Sequence, residues 1–485
     1  MINCKKTKIV ATIGPATESE EMLSRLVEEG LNVMRLNFSH GDFVEHQKRV
    51  NEWRKVAEKT GKCLAILQDL SGPKIRIGEF YQERVILKEG DEFTLTTEKI
   101  VGDEHKAFVN YPTLPKELKK GNFVLLDDGK KKLEVISIKG NEIKCKIIVG
   151  GETKGKRGVN LPGAYLKISS ITEKDRKDLE FGIKNDVDFV ALSFVRKPED
   201  IIELRDMLKK AKCGASIIAK IETQEAVENL DAIIEQADGI MVARGDLAIE
   251  VPAETVPMIQ KNIIKKCNKL GKPVITATQM LESMIKSPVP TRAEVSDIAN
   301  AILDGTDAVM LSEETTLGLY PIEAVKVMTR VALEIEQDYP EKYILNGNGY
   351  GNGSENLICI PKGQLKVSDS ITSSVVKTAH DIGTKLIFAL TESGFTARMI
   401  SRYKPQPVIM ALSPSEKTCN KLALSWGCYP YNLKRFKTLT EAYKEIRAFC
   451  LKNNLAEKGD KVVIAAGAPF NSKTIETNSI LVEVI

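Results

Sequence analysis

Lys220 and Glu222 stand two residues apart in the run Ile218-Ala-Lys-Ile-Glu222. Residues two apart on an extended strand point the same way, so an ammonium and a carboxylate share one face there. Arg35, Asn37 and Ser39 repeat that spacing in Met34-Arg-Leu-Asn-Phe-Ser-His40. Asp246 closes a third run, Met241-Val-Ala-Arg-Gly-Asp246, on the strand predicted next to that of Glu222. The two carboxylates can hold one hard divalent cation through oxygen, and a site with few protein ligands is the habit of Mg²⁺. Asp69, Thr276, Thr278 and Glu313 add oxygen-bearing side chains at the ends of further apolar runs. Any one of these residues is accounted for by an ion pair on the rim of a fold. The set is harder to explain that way, because every member falls at the same end of its strand.

Holding such a set together takes parallel strands. Short apolar runs begin at Lys8, Val33, Cys63, Val187, Ser216, Gly239, Pro273 and Ala308, and an amphipathic helical pattern follows each. The first helix opens on Thr17-Glu-Ser-Glu20, a capping-box pattern, and stops at Gly30. Continuous apolar strands covered by helices read as an α/β protein with a parallel sheet. Eight such units fit a TIM (β/α)8 barrel over 1–73 and 168–340, whose strand C-termini form the reactive face. The stretch 74–167 differs, with short alternating runs such as Lys144-Cys-Lys-Ile-Ile-Val149 and turns at Asp127-Asp-Gly129 and Gly150-Gly151. It reads as a small all-β domain, an inserted β-barrel, placed in a βα loop where it can act as a lid. Asn346-Gly-Asn-Gly-Tyr-Gly-Asn-Gly353 marks a linker over 341–362. A C-terminal α/β domain follows over 363–485, with strands at Lys385, Pro407 and Lys461.

Composition narrows the function classes. The 485 residues are 42% hydrophobic and 28% charged, and 70 basic against 66 acidic residues leave a net charge of only +4. That balance lacks the basic face that nucleic-acid binding needs. No apolar run approaches the roughly 20 residues of a membrane helix, and the N-terminus has no signal-peptide core. The nine cysteines contain no CxxC pair and read as reduced thiols of a cytoplasmic protein.

At this point the chain resembles the pyruvate kinase family. The resemblance is carried by Met34-Arg-Leu-Asn-Phe-Ser-His-Gly41, Asp69 with Gly72-Pro-Lys-Ile-Arg76, and Ile218-Ala-Lys-Ile-Glu222. Met241-Val-Ala-Arg-Gly-Asp-Leu247, Ala277-Thr-Gln-Met-Leu-Glu-Ser-Met284 and Pro290-Thr-Arg-Ala-Glu294 continue it, and Gly158-Val-Asn-Leu-Pro-Gly163 fits the hinge returning from the lid. It implies transfer of a phosphoryl group from phosphoenolpyruvate to ADP, giving pyruvate and ATP. It also implies Mg²⁺ as cofactor, with Mn²⁺ able to substitute, and a homotetramer. Phosphoryl transfer asks for in-line positioning and charge neutralisation more than covalent help. By resemblance, Lys220 lies beside the transferring phosphoryl, Arg35 grips it, and Glu222 and Asp246 hold the Mg²⁺. The backbone N–H groups of Gly245 and Asp246 suit the substrate carboxylate. Thr278 lies where the enolate carbon is protonated, with the proton donor left open. Asn37, His40, Arg76, Lys156 and Arg157 face the nucleotide.

The chain departs from the family in three places. Asn37, Ser39 and Asp69 keep the oxygens that bind a monovalent cation. Members that need K⁺, however, typically have Thr or Ser at the place of Leu70 and Glu at that of Lys74. Lys74 can set an ammonium near the cation's place, so K⁺ is expected to be dispensable. Ala248 replaces a usual Gly, and Ser312-Glu-Glu-Thr-Thr316 brings an extra carboxylate, Glu313, near the site. In the C-terminal domain, Thr391-Glu-Ser-Gly-Phe-Thr396 joins a strand to a helix. Hydroxyls and free N–H groups at a helix start make a phosphate nest, formed here by Thr391, Ser393, Gly394 and Thr396. Glu392 and Phe395 stand at the variable positions of this family effector loop, so a monophosphate such as AMP, ribose 5-phosphate or glucose 6-phosphate is expected. Two rival readings remain. One is a barrel enzyme that cleaves C–C bonds through Mg²⁺–enolpyruvate, which needs neither lid nor Arg76. The other is a degenerate paralogue kept for effector sensing, which the presence of Lys220, Glu222 and Asp246 disfavours.

Overall fold

The first three barrel strands are β1 (Lys8–Thr12), β2 (Val33–Asn37) and β3 (Ala65–Asp69), and each is buried along most of its length. Unbroken apolar sequence is what a strand needs when helices cover one side and the barrel interior the other. The computed structural model describes residues 5–338, 366–436, 438–467 and 476–485. The linker expected over 341–362 lies outside the described residues.

After β3 the chain leaves the barrel for β4 (Arg84–Leu87), β5 (Glu92–Thr96), β6 (Lys106–Phe108) and β7 (Phe123–Leu126). It continues through β8 (Lys131–Lys139), β9 (Glu142–Val149), β10 (Gly151–Lys154) and β11 (Val159–Asn160). The strands expected to form a small barrel lie in a six-stranded sheet, ordered β11-β7-β8-β9-β5-β6, and a separate β10-β4 ribbon. One helical turn, Leu114–Glu117, interrupts this otherwise all-β insertion. The insertion has its own core around Phe93, Leu95, Val124, Leu133 and Ile143, all 0% exposed. Alternation along β9 explains that core: Ile143, Cys145 and Ile147 point in while Glu142, Lys144 and Lys146 point out.

The barrel resumes with β12 (Phe189–Leu192), β13 (Ser216–Ile221), β14 (Gly239–Ala243), β15 (Val274–Ala277) and β16 (Ala308–Leu311). It closes in the order β1-β16-β15-β14-β13-β12-β3-β2, every pairing parallel. The expected barrel is therefore present. Closure fixes the register, placing Arg35 opposite Leu67 and Asn37 opposite Asp69.

The C-terminal layer is a five-stranded sheet, β19-β18-β17-β20-β21. Its members are β17 (Leu386–Leu390), β18 (Val408–Ser413), β19 (Cys428–Asn432), β20 (Lys461–Ala466) and β21 (Ser479–Val484). Sequence reading misses β19 and the antiparallel edge strand β21, whose alternation is half-exposed and diluted by polar residues. Ala423 and Leu424 from this part pack into the barrel's inner cluster with Val10, Val33 and Ala308.

Candidate active site

The C-terminal ends of β2, β3, β12 and β13 bring Arg35, Asp69, Ser193, Lys220 and Glu222 into one buried cluster. Asp69 is its hub at 1% exposure. Arg35 Nε donates to Asp69 Oδ2 at 2.7 Å, and Arg35 Nη1 donates to the Thr12 hydroxyl at 2.7 Å. Lys220 Nζ lies 3.4 Å from Asp69 Oδ1 and 2.9 Å from Glu222 Oε1, and donates to Ser193 Oγ at 2.7 Å. Ser193 Oγ in turn donates to the Leu70 carbonyl at 2.7 Å. The second oxygen of Glu222 accepts the Phe194 N–H at 2.7 Å.

Burial pushes the Asp69 carboxyl up, but the Lys220 and Arg35 charges outweigh it and hold the group below its ordinary value. Burial also disfavours the Lys220 ammonium. The Asp69 and Glu222 carboxylates more than restore it and raise its pKa, so Lys220 is a fixed positive charge. Glu222 is pushed up by burial, opposed by Lys220, and pushed further by the Asp246 carboxylate. Two carboxylates that repel each other next to a fixed ammonium suit a divalent cation, and the donor set fits Mg²⁺. Among the described residues no group of three or more His, Cys, Asp or Glu is placed to hold a metal. Glu222 and Asp246 would hold a Mg²⁺ ion, whose remaining ligands would have to come from water and substrate oxygens.

On the next two strands, backbone geometry does the positioning. Thr278 (φ 69°) and Gln279 (φ 56°) lie in the left-handed region after β15, and Phe194 (φ 53°) does so after β12. Such conformations cost about 1–3 kcal/mol each and persist where surroundings enforce them. After β15 Arg244 supplies that enforcement: Nη2 donates to the Thr278 carbonyl at 2.6 Å, Nε to the Ala277 carbonyl at 3.1 Å, and Nη1 pairs with Asp297 at 2.7 Å. After β12 the Phe194 N–H is held by Glu222. The Thr278 hydroxyl accepts the Gly245 N–H at 2.8 Å and donates to the Ala277 carbonyl at 2.6 Å. Gly245 and Asp246 open the helix Arg244–Glu250, whose first-turn N–H groups suit an anion. Of the two N–H groups expected to face the substrate, that of Gly245 is thus engaged by Thr278.

The remaining residues predicted for the site sit around this cluster. Ser39 and His40 are exposed on the loop after β2, where Ser39 N–H donates to Asn37 Oδ1 at 3.1 Å. Leu70 is buried, with its carbonyl oxygen taken by Ser193. Gly72 turns the chain into the lid at φ 66°, and a Cβ there would meet Phe194 and Ser193 within 3.0 Å. Lys74 follows, and its Cε would lie 3.3 Å from a Cβ added at Gly158, so the side chain reaches the returning strand of the lid hinge. Arg76 donates to the Lys156 carbonyl at 3.2 Å, Arg157 pairs with Asp127 at 3.2 Å, and Lys156 pairs with Glu79 at 2.6 Å. The hinge thus gathers the three basic residues outside the buried cluster. Glu313 is exposed on the turn after β16, and the buried carboxylate is its neighbour Glu314, which accepts the N–H groups of Leu281 and Ser312.

Ser193, Lys174 and Arg244's clamp are absent from the sequence-based site. Ser193 could have been found, because it stands at the rim end of the fourth apolar run like the residues that were chosen. Lys174 Nζ donates at 2.6 Å to the carbonyl of Phe38, which stands between Asn37 and Ser39 in the chain, and lies 3.5 Å from Ser71 Oγ. Nothing local in the sequence signals that approach. In the C-terminal layer, Thr391, Ser393 and Gly394 lie in the turn between β17 and the helix Phe395–Ser401, with Gly394 at φ 81°, and Thr396 is the second residue of that helix. Thr396 shares a hydrogen bond of 2.8 Å with Thr477, and Glu392 pairs with Arg435 at 2.7 Å.

Two family models match the chain: pyruvate kinase, barrel domain, over residues 4–325, and pyruvate kinase, alpha/beta domain, over 369–483. A pyruvate kinase of Staphylococcus haemolyticus is 46% identical over 97% of this chain and 79% of its own length. One from Staphylococcus aureus (strain MRSA252) is 45% identical over 99% and 80%. A crystal structure of a pyruvate kinase from Cryptosporidium parvum superposes with a TM-score of 0.91 at 37% identity, covering 99% of this chain and 96% of that one. With the barrel, the lid and the buried rim cluster already in place, these matches show that the chain belongs to the pyruvate kinase family.

Proposed function

We propose that the chain transfers the phosphoryl group of phosphoenolpyruvate to ADP, giving pyruvate and ATP, and does so in the cytoplasm. The observation that carries this reading is the fixed Lys220 ammonium, held by Asp69, Glu222 and Ser193 beside the helix start at Gly245 and Asp246. A trianionic substrate needs such a charge where the phosphoryl departs and the enolate oxygen develops, and a charge already in place needs no reorganisation during the reaction. Arg35 adds a second cation on the same face. Glu222 and Asp246 hold Mg²⁺, or Mn²⁺ in its place; when bound, the ion neutralises oxygen charge on the substrate. The Asp246 N–H orients the substrate carboxylate. The Gly245 N–H joins it by exchanging its Thr278 partner for the substrate, which frees a lone pair of the Thr278 hydroxyl on the side of the reacting carbon. Arg76, Lys156 and Arg157, carried by the lid hinge, meet the ADP phosphates, with Asn37 and His40 on the barrel side. Release of pyruvate from purified protein, requiring phosphoenolpyruvate, ADP and Mg²⁺ together, is the test. Pyruvate release that is indifferent to ADP would refute the transferase reading.

The same reading makes K⁺ dispensable. Its support is the residue change from the usual glutamate to Lys74, beside the Asn37, Ser39 and Asp69 positions in the family's pattern, together with the Lys174 ammonium, which donates to the carbonyl of Phe38 between Asn37 and Ser39 in the chain. Activity in tetramethylammonium buffer is expected within about twofold of that in KCl. Lys74→Glu should convert the enzyme to one that K⁺ activates about tenfold or more, since a new carboxylate there recruits a cation. Collapse of the wild-type rate without K⁺ would reject both statements.

The turn at Thr391, Ser393, Gly394 and Thr396 is read as a monophosphate effector site, for AMP or a sugar monophosphate. A several-fold fall in KM for phosphoenolpyruvate is expected with one of these ligands, and Ser393→Asp should abolish that response by charge repulsion. A response equal in the variant would remove the site. The functional assembly is a homotetramer, so light scattering should give four times the 53.7 kDa chain mass.

A further inference from the structure

An ammonium carries three N–H donors, and that of Lys220 has three acceptors around it. Nζ lies 2.7 Å from Ser193 Oγ, 2.9 Å from Glu222 Oε1 and 3.4 Å from Asp69 Oδ1. Two of these acceptors have other work. Glu222 is assigned to the divalent cation, and its second oxygen already accepts the Phe194 N–H at 2.7 Å. Asp69 is shared with Arg35, whose Nε donates to Oδ2 at 2.7 Å.

Ser193 is placed differently. Its own proton goes to the Leu70 carbonyl at 2.7 Å, while Asp69 Oδ1 is the more distant alternative at 3.4 Å. Donation to Leu70 turns a lone pair of the hydroxyl toward Lys220. The residue follows β12 directly and is 2% exposed. Gly72 packs against it so closely that an added Cβ would lie 3.0 Å from the Ser193 Cβ. Its neighbour Phe194 is the residue whose N–H Glu222 holds. Lys220, Ser193, Phe194 and Glu222 therefore close a ring in which the serine is both aimed and fixed.

We propose that Ser193 is a positioning residue: its hydroxyl keeps the Lys220 ammonium in place when Glu222 turns to the divalent cation, and so sets how tightly Glu222 can hold that ion. The proposal rests on the phosphoryl-transfer reading, because it takes the cation to lie on Glu222 and Asp246. Without the hydroxyl, the ammonium keeps only its two carboxylate acceptors. It leans on Glu222, and the negative charge that satisfies the ammonium is withdrawn from the cation. The displaced ammonium also meets the developing charge of the reaction less well, so the loss falls on kcat more than on KM. A serine that only filled space would change neither cation affinity nor this split.

The test is Ser193→Ala in the full chain, beside the wild type. Mn²⁺ binding without substrate is read by electron paramagnetic resonance, and kinetics are measured with phosphoenolpyruvate, ADP and Mg²⁺. The Mn²⁺ Kd of the variant is expected to rise about tenfold, as for other residues that act on a metal through its ligands. Its kcat should fall about tenfold or more, with KM for phosphoenolpyruvate within about threefold. Ser193→Thr keeps the hydroxyl and should bring the Mn²⁺ Kd back to within about threefold of wild type. A crystal structure of the wild type with Mn²⁺ bound needs no variant: Lys220 Nζ should stay within about 3 Å of Ser193 Oγ. An unchanged Mn²⁺ Kd in the alanine variant, or an ammonium that leaves Ser193 in the Mn²⁺-bound crystal, would overturn the proposal. With a wild type that makes pyruvate only when ADP is present, either result removes this role alone. A wild type without ADP-dependent pyruvate formation would refute the transfer reading and take the proposal with it.

Discussion

Lys220→Met should lower kcat by about a thousandfold while changing KM for phosphoenolpyruvate less than tenfold. Methionine fills the same volume without the charge, so the loss falls on the step in which charge moves. The ammonium serves two carboxylates at 3.4 and 2.9 Å, and its removal leaves Glu222 with only the Phe194 N–H. Breaking a buried pair by removing one partner costs about 3–5 kcal/mol, so thermal stability should fall as well. Lys220→Arg separates the two effects. It keeps the charge and most of the stability, yet its planar fork cannot place one compact charge as an ammonium does, so kcat should stay low. Calorimetry and steady-state kinetics on both variants check this. A methionine variant that keeps more than about a tenth of wild-type kcat would show that Lys220 is only an ion-pair partner.

Glu222→Gln carries the second large effect. The substitution is isosteric, but it removes the charge that holds the cation and weakens the grip on Lys220. One of its terminal atoms also becomes a donor, and it meets either the Lys220 ammonium or the Phe194 N–H as a donor facing a donor. The Mg²⁺ concentration for half-activation should rise at least about tenfold, and kcat/KM should fall by about a thousandfold. High Mn²⁺ should recover part of the rate, since a ligand has weakened rather than the reaction been blocked. An unchanged Mg²⁺ requirement would move the cation away from Glu222.

The barrel was legible because eight apolar runs each preceded a helical pattern, and because the polar residues fell on one end. Lys220, Glu222, Asp246, Arg35 and Asp69 followed from spacing plus the rule that barrels work at strand C-termini. What stayed hidden depends on contacts between strands distant in sequence. That Asp69 pairs with both Arg35 and Lys220 is set by barrel closure and register, which no local pattern reveals. The left-handed Phe194, Thr278 and Gln279 were invisible for a related reason: tertiary contacts such as the Arg244 clamp, rather than local preference, hold them. The edge strand β21 escaped because half-exposed alternation at a sheet edge is a weak signal.

The most direct test of the account is a phosphorus NMR time course with wild-type protein, phosphoenolpyruvate, ADP and Mg²⁺. The account predicts that the phosphoenolpyruvate resonance falls as the γ-phosphoryl resonance of ATP rises in equal amount, with no inorganic phosphate in between. Loss of phosphoenolpyruvate into inorganic phosphate, or no loss at all, would contradict transfer to ADP.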